Sequence, residues 1–266
     1  MTKSERFVRG WDKLQQIDGE AGNKVINGLK DISPELSRFI IEYSFGTVYS
    51  LTSLDNQSKE IVALSSLIAQ RAVPEIKVHL NAALNTGLTI CQVKEIILQM
   101  SVYAGFPKCI CGMNTLREVL NERQGQGIID LEGMAYEQSD YKDRGQQGAQ
   151  ELSLLDPIQE QILRDNFESI SPELILFTLE YAYGDIYARN NLDKKYRQIA
   201  TISALATLGN AVPQLKFHIQ AAINIGLNEN EIKEIILLMT VYAGFPATIN
   251  AMNILKEVLS ERKIKA

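Results

Sequence analysis

Apolar residues along this chain recur at helical spacing almost throughout. In VPEIKVHLNAALN, Ile76, Leu80, Ala83 and Leu84 fall at i, i+4, i+7 and i+8, which is one stripe of a helix. No segment alternates apolar and polar residues at period two between turn signals, so strands are not expected. The pattern predicts an all-α fold, and the punctuation agrees with it. Ser33-Pro34 and Ser171-Pro172 set a capping hydroxyl before a proline suited to the first helical position, and Asp156-Pro157 sets a carboxylate there. Thr89 with Gln92, and Asn228 with Glu231, have capping-box spacing. Gly87 and Gly226 stand where a left-handed residue would end the preceding helix. The runs EIILQM and EIILLM are apolar on nearly all sides, which predicts burial between the halves of the chain and between protomers.

These paired features are one unit written twice. KEIILQMSVYAGFP, from Lys94, returns as KEIILLMTVYAGFP, from Lys233, with 12 of 14 positions identical. SPEL at Ser33 returns at Ser171, and YSFGTVY at Tyr43 returns as YAYGDIY at Tyr181. The offset grows by one between about Thr207 and Ala211, marking an insertion in the second copy. A period this long is a duplicated domain. The first is expected over residues 1–123 and the second over 141–266, with a linker at 124–140 where Gly and Gln accumulate.

Composition narrows the classes of function. A net charge of −5 spread along the chain leaves no basic stripe, which argues against nucleic acid as a partner. No apolar run approaches a membrane span, and the opening MTKSERFVRGWDKLQQ lacks the apolar core of a signal peptide. Three cysteines, an odd number, do not suggest a disulfide framework. A cytoplasmic protein with reduced thiols is expected.

Only two histidines occur, His79 and His218, at the same point of the same repeated helix. Their presence in both copies, beside neighbours that changed, favours a proton-carrying role in at least one copy over a purely structural one. Neither helix offers a second His or Cys at i+3 or i+4, and Glu75 is matched by Gln214, so no metal site is expected. Cys109 and Cys111 are two apart, face different directions and are matched by Thr248 and Asn250; Cys91 has no cysteine counterpart. A core or helix-start role is the better reading for Cys109 and Cys111. The aromatic sets Tyr43, Phe45, Tyr49 and Tyr181, Tyr183, Tyr187 are mostly packing too, but tyrosines at i and i+6 cannot share one face. One hydroxyl per copy is therefore expected to line a cavity.

Taken together, VYAGFP, the HxxAAxNxG helix and YxxGxxY resemble the carboxymuconolactone decarboxylase family in a tandem-domain form. The second copy, with YAYGDIYARNNLDKKYR, is the closer match; the first has Lys59 where the second has Arg197. The resemblance implies an alkylhydroperoxidase D-like helical domain in each half. It further implies a cofactor-independent lyase acting on a carboxylated lactone or a related small cyclic acid. Loss of carbon dioxide leaves an electron pair that spreads into the ring as a dienolate, which calls for an oxyanion holder and an acid. On that basis His79 and His218 are candidate acids, Arg197 a candidate anion holder and Glu60 a candidate partner orienting His79. The hydroxyls of Tyr49, Tyr187, Tyr103 and Tyr242 are candidate substrate contacts. In a straight hairpin turning near Ala72, Glu60 and His79 would differ in height by roughly 7 Å, so contact would need a bend, a bridging water or a neighbouring protomer. A sister branch of the family works through a Glu, a CxxC and a His. Laid on this chain, its cysteines fall at Ala72 and Glu75, and at Ala211 and Gln214, with its glutamate at Glu60 and Gln198. Without a thiolate, peroxidase or thiol–disulfide chemistry is disfavoured; it stays as an alternative, beside a non-catalytic small-molecule-binding module. Single-domain relatives form rings of six, which implies a homotrimer for a tandem chain.

Overall fold

The computed structural model describes residues 3–137 and 143–265. Residues 138–140 of the expected linker, and 1–2, 141–142 and 266 of the expected domains, lie outside them. Every regular element among the described residues is helical. The first half comprises α1 (Glu5–Ile17), α2 (Glu20–Gly28), α3 (Pro34–Phe39), a π-helical segment (Ile40–Val48), α4 (Asn56–Gln70), α5 (Val73–Asn85), α6 (Ile90–Tyr103) and α7 (Phe106–Gly125). The second comprises α8 (Arg144–Leu155), α9 (Gln159–Phe167), α10 (Pro172–Phe177), a π-helical segment (Thr178–Tyr187), α11 (Lys194–Leu208), α12 (Val212–Asn224), α13 (Glu229–Tyr242) and α14 (Phe245–Lys265). None of these helices is long and apolar enough to cross a membrane.

Local signals account for most helix ends. Both capping boxes form, at Thr89 and Asn228. Gly87 and Gly226 adopt φ +95° and +96°. Ser33 accepts the Leu36 amide, but the Ser171 hydroxyl turns to Glu173 and caps nothing. Asp156 departs from expectation as well: it terminates α8, accepts the Ile158 amide at 3.1 Å, and the next helix starts only at Gln159. The insertion is Asn210. Arg71 and Gly209 end α4 and α11 in the left-handed conformation, and Ala72 and Ala211 precede the following helices.

The π-helical segments were not foreseen. Their wide turns show in the i→i−5 bonds of Tyr49 N to Ser44 O and Ala188 N to Tyr183 O, both 2.8 Å. Each is backed by a helix that touches it main chain to main chain. A Cβ on Gly10 of α1 would stand 1.9 Å from Ile41 O, and one on Gly148 of α8 would stand 1.8 Å from Leu179 O. Only glycine permits that approach.

At the centre α4 packs on α11, α4 also meets α13, and α11 meets α6. The all-round apolar helices are thus buried between the two copies, with Ile96, Ile97, Met100, Ile235, Ile236 and Met239 fully enclosed. Two buried ion pairs cross this junction reciprocally: Lys59 of α4 with Glu234 of α13 at 3.2 Å, and Arg197 of α11 with Glu95 of α6 at 3.0 Å. Removing Lys59 would leave Glu234 uncompensated in the core, and removing Glu95 would do the same to Arg197, so the pairs fix how the halves dock. Beyond α7 the chain returns over α6, where Ile90 N and Cys91 N donate to Leu131 O and Glu132 O.

Candidate active site

The docking of the copies brings together residues that are far apart in the chain. Glu60 points from α4 and His79 from α5, and Glu60 Oε2 lies 2.8 Å from His79 Nδ1. The contact is direct, where parallel helix axes would have kept the two apart. Tyr49, at the end of the first π-helical segment, donates its hydroxyl to Glu60 Oε1 at 3.0 Å. Tyr242, from the second copy, hydrogen-bonds Tyr49 Oη and sits 3.4 Å from His79 Nε2, with its ring edge-on to the imidazole.

Glu60, Tyr49, Tyr242 and His79 therefore close a ring of hydrogen bonds, and the ring reports protonation. If His79 is an imidazolium, Nδ1–H donates to Glu60, Nε2–H to Tyr242, Tyr242 to Tyr49, and Tyr49 to Glu60. Every link then has its own proton. Beside an ionised Glu60, a neutral imidazole leaves one link without a donor. Electrostatics point the same way. Burial by itself lowers the His79 pKa, but the Glu60 carboxylate, through charge and hydrogen bond, outweighs it with help from Asp18, and the value lies above that of an ordinary histidine. Tyr49 is pushed well above the usual tyrosine range by burial and by Glu60, so its proton stays in place.

The second copy repeats the geometry with opposite chemistry. Gln198 occupies the place of Glu60; its Oε1 is 3.0 Å from His218 Nδ1 and its Nε2 donates to Tyr187 Oη at 3.0 Å. An amide offers no charge, and burial lowers the His218 pKa to about 3. His218 is neutral at physiological pH. Tyr103 of the first copy stands edge-on to it, ring centroids 5.2 Å apart. Tyr103 and Tyr242 are thus exchanged: each serves the histidine of the other copy.

Arg197 does not act as expected for an open anion holder. Its guanidinium is fully buried and engages Glu95, Gln99 Oε1 at 3.0 Å and Arg189 O at 2.9 Å. Its anion is internal, so Arg197 holds the copies together, and its one unpartnered donor, Nε, is itself buried.

Around His79 lies a cavity of about 620 Å³, large enough for a small organic acid. Its polar lining includes Asp18, Tyr49, Glu75, His79 and Tyr242; the rest is largely apolar, and among the described residues neither Lys nor Arg lines it. Ala72 and Glu75, the positions of the sister branch's cysteines, line it too, and none of the three cysteines does. Asp18 was not anticipated. It caps α1, is 5% exposed, and burial raises its carboxyl to about 7, with His79 opposing and Glu60 adding to the shift. A signal for it was present: Leu14-x-x-Ile17-Asp18 recurs as Leu152-x-x-Leu155-Asp156 at the offset of the repeat. Asp18, Glu60 and His79 each bring one side-chain atom within 4.8 Å of the others. Spacing within one helix could not reveal this set, because its members come from three. As folded, Glu60 and His79 satisfy each other at hydrogen-bond distance.

The family model described as the carboxymuconolactone decarboxylase family matches residues 34–118 and 172–257, once in each half. The 4-carboxymuconolactone decarboxylase of Acinetobacter baylyi is 29% identical over 123 residues, covering 46% of this chain and 92% of that protein. The nitrosuccinic acid decarboxylase of Metarhizium robertsii is 30% identical over 106 residues, covering 39% of this chain and 74% of its own length. An uncharacterized 15.0 kDa protein of Paracoccus denitrificans is 31% identical over 117 residues, covering 44% and 87%. Each alignment takes in less than half of this chain and most of the relative, as a single copy does against a tandem one.

Proposed function

The chain belongs to the carboxymuconolactone decarboxylase family, and from that membership we propose that it decarboxylates a carboxylated lactone or a related small acid in the His79 cavity. The observation that carries this reading is the Glu60–His79 pair, a buried imidazolium held by a carboxylate at the wall of a cavity that takes a small acid. Two relatives named as decarboxylases, one for carboxymuconolactone and one for nitrosuccinic acid, support the reaction class. Both are acids in which departing carbon dioxide leaves its electron pair beside an electron-withdrawing group. His79, charged before the substrate arrives, would hold that developing negative charge through Nε2–H, with the Tyr242 hydroxyl beside it. Glu60 keeps the imidazole protonated and aimed. The apolar wall favours loss of charge from the carboxylate that departs.

On this reading one site per chain works. His218, neutral and paired with an amide, supplies neither charge nor acid, and the second copy contributes Tyr242 to the first. The alternative thiol chemistry finds no sulfur in the cavity, and burial raises the thiols of Cys91 and Cys109 away from the reactive thiolate. The test is turnover of 4-carboxymuconolactone and nitrosuccinate by purified protein, followed as carbon dioxide release. His79→Gln should reduce turnover by roughly 10²–10⁴, while His218→Gln changes it less than about threefold. Equal losses in both variants would contradict a single working site. We further propose a homotrimer, supported by apolar residues exposed alike on both copies: Phe106 and Phe245 at 58%, Ile110 and Ile249 at 57%.

A further inference from the structure

Asp18 lies ahead of the first stretch matched by the family model, at the end of α1. We propose that Asp18 is a second acid of the His79 site and delivers the proton that takes the place of carbon dioxide on the substrate carbon. This rests on the decarboxylase reading.

The placement is unusual for a helix-end aspartate. Asp18 lines the cavity with Tyr49, His79 and Tyr242. It is buried, and its Oδ1 has no hydrogen-bond partner. Helix α2 roofs it so closely that a Cβ on Gly22 would stand 2.7 Å from Asp18 Cβ. Asp156, the same residue of the repeat, shows the ordinary use of such a position: it is partly exposed and accepts the Ile158 amide. A carboxyl buried without donors is held better as an acid than as an anion.

The neighbours agree. Asp18 faces Glu60 from α4, His79 and Glu75 from α5, Tyr49 from the π-helical segment and Tyr242 from α13. His79 is the single cation among them. An anionic substrate entering this cavity would bring another negative charge to a site that already holds two buried carboxyl groups. Glu60 already meets two partners, Tyr49 and His79. Asp18 has none, so it is the group that carries the proton. It also divides the labour. His79, held by Glu60 at Nδ1, turns its Nε2–H from the Tyr242 hydroxyl 3.4 Å away to the developing anion, and Asp18 protonates carbon. In the step, the carbon–carboxylate bond breaks and its electron pair stays on the substrate as a dienolate or equivalent anion. The Asp18 O–H bond then breaks as the new C–H bond forms, and water reprotonates the Asp18 carboxylate after product leaves.

The test joins a titration with kinetics. In protein labelled with ¹³C at the aspartate carboxyls, one resonance should titrate near neutral pH, and it should vanish in Asp18→Asn and in Asp18→Ser. Asp18→Asn should lower kcat on 4-carboxymuconolactone or nitrosuccinate by about 10² or more, with KM changed less than about threefold. Titration of Asp18 in the ordinary carboxylate range overturns the proposal, as does full turnover by Asp18→Asn; in both cases the wild-type turnover leaves the decarboxylase reading standing. Wild-type protein that releases carbon dioxide from neither probe fails the decarboxylase reading itself, and the role of Asp18 in protonating carbon falls with it.

Discussion

An acid that the fold keeps protonated costs stability wherever the unfolded chain would ionise it, and Asp18 makes that cost measurable. Its carboxyl moves from an ordinary 3.8 to about 7 on folding. Between those values the folded protein binds the proton that the unfolded chain has released, so the contribution of Asp18 falls as pH rises through this window and is constant above it. At about 1.4 kcal/mol per unit, a shift of roughly three units corresponds to at most about 4 kcal/mol above pH 7. Asp18→Asn removes the titration with almost no change of shape. The variant should match wild type near pH 4 and exceed it progressively up to pH 8, by as much as about 4 kcal/mol. His79 runs in the same direction: its raised value adds stability at low pH that is lost as pH rises through it, and because Glu60 is the main group that raises it, most of that slope is common to both proteins. Urea unfolding across this pH range measures the difference, with Trp11, the sole tryptophan, reporting on α1. Protein concentration must be held fixed for an oligomer. A stability difference that does not change with pH, or an Asp18→Asn protein weaker than wild type at pH 8, would refute the reasoning.

Four further outcomes follow from particular contacts. Tyr242→Phe removes a hydroxyl from the His79 ring and should lower turnover by about tenfold, the value of one hydrogen bond to a charged group, whereas Tyr103→Phe should leave it within about twofold. Gln198→Glu should lift the His218 pKa out of the region of 3 toward that of His79, read by NMR of the imidazole protons; an unmoved value would separate the pKa from its neighbour. Lys59→Met strands Glu234 in the junction and should cost about 3–5 kcal/mol by urea unfolding, while Lys59→Met with Glu234→Leu should recover most of it. Phe106→Glu with Phe245→Glu should reduce the assembly to single chains in sedimentation; an unchanged mass would place the subunit contact elsewhere.

Much of this architecture is legible because it is local. Caps at Thr89 and Asn228, and the glycines Gly87 and Gly226, act within one turn, and each formed as its spacing predicts. The function of His79 is only half local. Its partner Glu60 sits at the right register in the chain, yet contact depends on how α4 and α5 cross. Tyr242 is 163 residues away and reaches His79 only because the copies dock. Arg197 misleads for the same reason, since the anion it binds, Glu95, belongs to the other copy. What separates the two sites, however, is written at a single position. Glu60 and Gln198 are nearly identical in shape and hold their histidines at 2.8 and 3.0 Å. The carboxylate accepts from Tyr49, while the amide donates to Tyr187. That reversal turns one histidine into a cation and leaves the other neutral. The second copy nevertheless completes the surroundings of His79, because Tyr242 and Glu234 come from it. Duplication here divides one cluster's parts between two copies, so an uncharged Gln198 still leaves the copy that carries it joined to the His79 cluster.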